Sequence, residues 1–259
     1  MKRLRRILET EVISEFLKAE FYHREYDPDR HEFEIVVYEA NLTDDAENSL
    51  RRALLFRRRA GMWRELPPDT QWWETEIDED DLQRIRVFPR AQWRGISQGN
   101  FGALAVADRI RQQLLSNKAG PLAEKVQRVL ERMQSNDEKS AIILIGLDET
   151  HPLTLLEGNH RFVASLMLPR ERVLRRFRLI TGLSPHMEDC CWYKTNLPTL
   201  SRYLRNRIKY FWHREADLKR LLEPARNGKK VFTETIVSPQ PVQEDEKSGG
   251  YLGAVAKPE

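Results

Sequence analysis

Cysteine is nearly missing from this chain of 259 residues: there are two, Cys190 and Cys191, and they are adjacent. That spacing disfavours an intrachain bridge, which excludes a disulfide-stapled secreted domain and leads us to expect a reducing, cytoplasmic setting. Long apolar runs are missing as well. The longest, Ala141 to Leu147, is far shorter than the eighteen or so residues of a spanning helix. The basic start, Lys2 to Arg6, meets Glu9 and Glu11 before any signal-like apolar stretch develops. Glycine and proline, 12 and 13 residues, are too few for a collagen or a low-complexity linker. With 40% hydrophobic and 32% charged residues, the composition is that of a globular chain rich in charge. Its length fits one large or two small domains.

The net charge of +3 hides an asymmetry. Residues 68–82 hold seven acids and no Lys or Arg, whereas residues 169–230 hold sixteen Lys plus Arg against six acids. Arg170, Arg172, Arg175, Arg176 and Arg178 crowd the start of that block. Such a field attracts phosphates, although a solvated helix face or pairing with the acidic segment accounts for the arginines equally well.

Apolar spacing predicts a helix over 7–21, a strand within 31–40 on Phe33, Ile35, Val36, Val37 and Tyr38, and a capped helix from Thr43–Asp44–Asp45 to Arg59, stopping at Gly61. Pro67–Pro68 then breaks the chain. Beyond the break come a strand over 72–77, an acidic turn or short helix over 78–82, and an extended piece over 85–88 closed by Pro89. A loop over 97–102, helices over 101–115 and 121–133, and a buried strand over 141–145 follow. Next are a turn at 148–150, a strand over 153–156 and a helix over 159–167. A last helical stripe runs from Leu200 to Leu222 behind Asn196 as N-cap, with Tyr203, Phe211 and Trp212 read as core rather than as a base-stacking platform. Residues 236–259 have the composition of a disordered tail.

Chemistry concentrates in Leu153–Thr154–Leu155–Leu156–Glu157–Gly158–Asn159–His160–Arg161, which reads as strand, tight Gly turn, then helix. A Gly there lets backbone approach a ligand, and the N–H groups of Asn159, His160 and Arg161 at the helix start form an anion site. His160 can donate to phosphate, Arg161 can fork onto two phosphate oxygens, and Glu157 can hold a metal ion or accept a proton. The alternative makes Glu157 a cap, His160 a packing residue and Arg161 an ion-pair partner. His186, Cys190 and Cys191 lack a fourth partner for a structural metal. Trp72 and Trp73 read as neighbours on opposite faces of a strand.

The stretch Glu157–Gly158–Asn159–His160–Arg161, between a short apolar strand and the small-residue helix of Val163, Ala164 and Ser165, resembles the Asp/Glu-Gly-x-His-Arg box of the ParB/sulfiredoxin-like superfamily. Ile85 to Pro89 leading to Gln92 and Arg94, and the hydrophobic strand Ile142 to Ile145, fall in the order of that family, so the resemblance covers residues 72–168. It implies an α+β fold: a small mixed sheet with helices over 67–182, an N-terminal helical and strand extension over 1–66, and a basic helical region over 183–235. It also implies nucleotide binding, ATP or CTP with Mg²⁺, the phosphates lying on Gly158, Asn159, His160 and Arg161. Glu157 and His160 are the implied catalytic pair, with Glu157 also the metal ligand, and phosphoryl transfer to a small molecule or nucleotide hydrolysis is the implied reaction. Asn159 stands where sulfiredoxins have Cys, so their thiol chemistry has no nucleophile here. Kinase members place an acidic base elsewhere, for which Glu74, Glu76 and Asp78 offer candidates. The rival expectation is a non-catalytic module that meets nucleic acid or protein through the basic residues 169–230.

Overall fold

The structure is a computed structural model that describes residues 1–89, 92–135, 141–169 and 177–209. Strand β1 (Lys2–Ile7) precedes helices α1 (Glu9–Glu20), α2 (Asp27–Tyr38) and α3 (Asp45–Trp63). Then come β2 (Gln71–Glu76), α4 (Glu79–Leu82), β3 (Ile85–Arg86), α5 (Gln92–Ser97), α6 (Ala103–Leu115) and α7 (Pro121–Ser135). Strands β4 (Ala141–Gly146) and β5 (Leu153–Glu157), helix α8 (Asn159–Ser165) and strand β6 (Arg178–Leu183) follow. Residues 197–209 are helical and are called α9. The fold is α+β, as expected.

The six strands form one mixed sheet in the order β1-β2-β6-β4-β5-β3. β4 runs parallel to β6 and antiparallel to β5, and β3 joins the far edge parallel to β5. Side-chain alternation sends Ile143, Ile145, Leu156 and Ile180 to one face and Ile142, Leu144, Leu155 and Leu179 to the other. β4 is buried at every position because helices cover both faces, the arrangement that demands a continuous apolar run. One face carries α1, α2 and α3; the other carries α6, α7 and α8. Residues 1–66 are therefore not an appendage: β1 is an edge strand of the same sheet, and α1 to α3 supply one of its two covering layers.

Two expectations need correction. The strand within 31–40 is helix α2, entered through Asp27 and Pro28 in the first turn, with Asp29, Phe33 and Val37 buried at four-residue intervals. A strand would place Ile35 on the face of Phe33 and Val37, yet Ile35 is 70% exposed. Helix-entry residues and packing outweigh the β preference of Ile and Val, which is a weak, context-dependent signal. The helix expected to stop at Gly61 continues to Trp63. Its cap is the Asp44 carboxylate, which accepts from Ala46 N–H at 2.8 Å and Glu47 N–H at 3.1 Å.

Two strands were not read in the sequence, β1 and β6. β1 is an edge strand of exposed Lys and Arg, a composition that discourages edge-to-edge pairing and hides strand character. The face alternation expected of Trp72 and Trp73 holds. Trp72 is buried and stacks on Trp63 at 5.8 Å, while Trp73 packs on the opposite side with Arg3 over its ring. The Gly182 backbone lies against the Trp72 ring, where any Cβ would fall within 2.9 Å of three ring carbons.

Asn196 caps α9 as expected: its Oδ1 accepts from Thr199 N–H at 2.9 Å, and Thr199 Oγ1 accepts from Asn196 N–H at 3.0 Å. Tyr203 packs on the core from this helix, whereas Leu204 and Ile208 are exposed. Cys190 and Cys191 are buried and form no disulfide, and burial pushes the Cys190 thiol up to about 12. Arg170, Arg172, Arg175, Arg176, the stripe beyond residue 209 and the expected tail lie outside the described residues. Among the described residues, no helix is long and apolar enough to cross a membrane.

Candidate functional site

β5 ends at Glu157, Gly158 turns the chain, and α8 begins at Asn159, so the strand-turn-helix reading of the box holds. Gly158 has φ +88°, a left-handed conformation that favours Gly. A Cβ there would overlap Ile142 Cδ1 of the neighbouring strand and come within 3.3 Å of Arg161 Nη2. The glycine thus serves the close passage of the turn over β4 as much as any approach to a ligand. Phe162 N–H closes the first turn on Gly158 O at 2.8 Å, and the N–H groups of Asn159, His160 and Arg161 precede that bond.

The side chains divide into two roles. Asn159 Oδ1 accepts from Phe88 N–H at 2.9 Å, and its Nδ2 donates to Leu155 O at 3.3 Å. Its amide is a latch that ties the β3 exit to the box, which leaves its backbone N–H for the expected anion site. His160 Nε2 lies 2.7 Å from Gln92 Nε2, and its ring is 5.0 Å from that of Trp93. With Gln92 donating, His160 accepts at Nε2 and keeps its proton on Nδ1. Burial, then the charges of Lys125 and Arg161, push the imidazole down to about 4. It is neutral at pH 7 and serves as a hydrogen-bonding group, not as a cation.

Linkage gives that shift a sign. Between the ordinary histidine range and pH 4 the unfolded chain binds a proton at this position that the folded chain refuses, so stability falls as pH drops from about 6.5 to about 4. Replacing His160 with Gln should remove about 2 kcal/mol of that acid loss. Urea denaturation at pH 7.0 and 4.5 checks it: the two proteins should differ in the size of their acid loss, and equal losses would sink the assignment.

Glu157 and Arg161 sit together, Arg161 Nη2 lying 3.6 Å from Glu157 Oε1, with side chains 23% and 20% exposed for Arg161 and Glu157 respectively. Burial, then the neighbouring Glu20 carboxylate, push the Glu157 carboxyl up, while Arg161, the Gly158 N–H and Arg59 pull it down. A carboxyl shifted upward exchanges protons closer to neutral pH. Arg161 Nη2 is buried and makes no hydrogen bond. The Glu157–Arg161 pairing of the structural alternative is present, yet it leaves that nitrogen unsatisfied.

Sequence reasoning missed most of the surroundings. Glu20 at the end of α1, Tyr22 and His23 after it, Arg58 and Arg59 of α3, and Lys125 of α7 all lie within electrostatic reach of the box or of one another. Only the run Arg57–Arg58–Arg59 and the lone acid closing an apolar helix face hinted at them. The chain matches no family model, no curated protein and no solved structure.

The acids proposed as a distant base fare differently. Glu74 is on β2, which β6 and β4 separate from β5, and it is engaged by Arg5 and Arg178. Asp78 caps α4 through Asp81 N–H at 2.9 Å. Glu76 closes β2 on the same distant side of the sheet. Neither these residues nor His186, Cys190 and Cys191 belong to a group of three or more ligating side chains, since none occurs among the described residues.

Proposed function

We propose that the chain binds a nucleoside triphosphate, ATP or CTP, with a phosphate on the N–H groups and the Arg161 guanidinium of the Gly158–Arg161 turn. The observation that carries this reading is Arg161: a guanidinium nitrogen buried beside a helix start with no hydrogen bond, in surroundings where Lys125 and Arg59 add positive charge. Guanidinium matches phosphate geometry with a two-pronged donor set, and backbone N–H groups at a turn complete such a site. The box resemblance points the same way.

The reaction in this reading is phosphoryl transfer to a small acceptor, or hydrolysis. Glu157 takes the proton of the attacking hydroxyl as oxygen bonds to the terminal phosphorus and the bond to the leaving diphosphate breaks. Its upward shift suits that task better than the low imidazole of His160, which orients a phosphate oxygen through Nδ1–H. Were magnesium to accompany the phosphates, Glu157 is the carboxylate that would hold it, and the ion would neutralise part of the phosphate charge. The acceptor stays at the level of a small molecule bearing a hydroxyl group.

Thermal stability against ATP, CTP, GTP and ADP, each with and without Mg²⁺, tests the binding. A ligand at a hundredfold excess over its Kd should stabilise the protein by about 2.7 kcal/mol, and folded Arg161→Ala should lose that gain. Glu157→Gln should keep the shift and lower turnover by about a hundredfold or more. No shift with any nucleotide would overturn the reading. It would favour the rival, in which the exposed Arg202, Arg205, Arg207 and Lys209 of α9 meet nucleic-acid phosphates with steep salt dependence.

A further inference from the structure

Helices α2 and α9 pack into the same apolar core, that of the face carrying α1 and α3, and each leaves a pair of apolar residues outside it. α2 is held by Asp29, Phe33 and Val37, all buried. Its other side carries the exposed Ile35, and Tyr38, which meets Phe21 edge-on at 6.2 Å and is still 45% exposed. α9 is held by the buried Thr199, by Tyr203, whose ring meets that of Trp192 edge-on at 5.3 Å, and by Asn206, whose Nδ2 donates to Glu65 Oε1 at 2.6 Å. Its other side carries Leu204 and Ile208, 56% and 64% exposed. Single apolar residues are ordinary on a protein surface, whereas pairs at helical spacing on a side turned from the core form a stripe.

The two stripes share one pattern and carry opposite charge. One residue along a helix turns about 100° around its axis, so Glu34 before Ile35 and Glu39 after Tyr38 border the α2 pair on either side. In α9, Arg205 follows Leu204 and Arg207 precedes Ile208, which borders that pair with arginines in the same way. Residues 31–39 hold no Lys or Arg, and residues 197–209 hold no Asp or Glu. Glu34, Glu39, Arg205 and Arg207 are exposed and form no ion pair among the described residues.

We propose that α9 of one copy of the chain docks on α2 of another, Leu204 and Ile208 packing on Ile35 and Tyr38 while Arg205 and Arg207 meet Glu34 and Glu39. Within one copy the stripes do not cover each other, since both are exposed, and their buried anchors turn them outward. A nucleic acid would neutralise the arginines and leave Leu204 and Ile208 in water. The α2 stripe answers both the charge and the apolar surface. The contact joins unlike faces, so every copy offers one of each.

Sedimentation velocity of the full chain over a range of concentrations, at low and high salt, tests this. The average mass should rise with concentration and fall as salt screens the charged borders. Ile35→Ser, or Leu204→Ser with Ile208→Ser, should weaken self-association about tenfold or more through loss of the aliphatic contact. All three residues are exposed, so the variants should keep the wild-type circular dichroism spectrum. Charge reversal tests the pairing itself. Glu34→Lys with Glu39→Lys, and Arg205→Glu with Arg207→Glu, should each leave a monomer, and an equimolar mixture of the two proteins should associate again, because each then meets the opposite charge. A wild-type chain that stays monomeric through the millimolar range, whether or not nucleic acid or anionic vesicles retain it, overturns the inference. So does association that the α9 variants abolish and the α2 variants leave untouched, or a charge-reversed mixture that stays monomeric. None of these outcomes touches the nucleotide reading, which the β5–α8 turn carries.

Discussion

Gly158→Ala should lower the stability of the folded protein by about 3 kcal/mol and remove nucleotide binding in the fraction that remains folded. Two penalties add at this residue. The left-handed conformation at φ +88° costs a side-chain-bearing residue about 1–2 kcal/mol. The new Cβ would also overlap Cδ1 of Ile142, a core residue of β4 with no exposed surface, and forcing an extra carbon into such packing costs about 1–3 kcal/mol. The second penalty can be separated from the first. Ile142→Val deletes Cδ1 and should cost about 1 kcal/mol alone, yet be neutral or stabilising beside Gly158→Ala. Chemical denaturation of the four proteins in a double-mutant cycle should give a coupling of about 1–2 kcal/mol. Strictly additive losses would mean that Ile142 does not restrict the turn.

The link between Gly158 and Ile142 also marks what the sequence could and could not reveal. Strand β5, the glycine turn and α8 were legible because each is local: a short apolar run, a turn residue, and a helix start within nine residues. The partner that makes the glycine obligatory is sixteen residues away on another strand, and no pattern in the chain announces it. The same division runs through the site. Glu157, His160 and Arg161 could be named from one segment, whereas the charges of Glu20 and Arg59 bear on Glu157 only because α1 and α3 pack on the face shared by Ile143 and Leu156. α2 was misread because Phe33 to Tyr38 has β-prone residue types, and its burial period shows only against α1 and α3. β6 escaped notice because its apolar core, Leu179 to Leu183, follows a dense run of arginines that drew the reading toward charge. Nothing near Asn159 in the chain announces that its amide spans to Phe88, across a sequence distance of seventy-one residues.

Arg51→Met should be as damaging as any change outside the site, lowering stability by about 3–5 kcal/mol, through loss of a buried charge whose two terminal nitrogens are both engaged. Arg51 has no exposed surface. Its Nη1 donates to Val36 O and to Glu47 Oε2, both at 2.9 Å, and its Nη2 donates to Asn41 O at 2.8 Å and to Asn48 Oδ1 at 2.7 Å. The Val36 carbonyl matters most. Val36 lies in the last turn of α2, where carbonyls have no partner further along the helix, and that turn carries no basic residue of its own. Arg51 supplies both the missing donors and the positive charge that a helix C-terminus favours. Met fills a similar volume and adds no donor, so the Val36 carbonyl would lose its partner, while the Asn41 carbonyl keeps the Asp44 N–H at 3.3 Å. Glu47, with a side chain 30% exposed, can turn to water and contributes little to the loss. Arg51→Lys keeps the charge but cannot span four acceptors at once, and about half the cost should remain. For a chain of this size the Met variant should melt roughly 10 °C lower. Calorimetry of both variants checks the order, and a Met variant no less stable than the Lys variant would show that the bracket between α2 and α3 is held by packing alone.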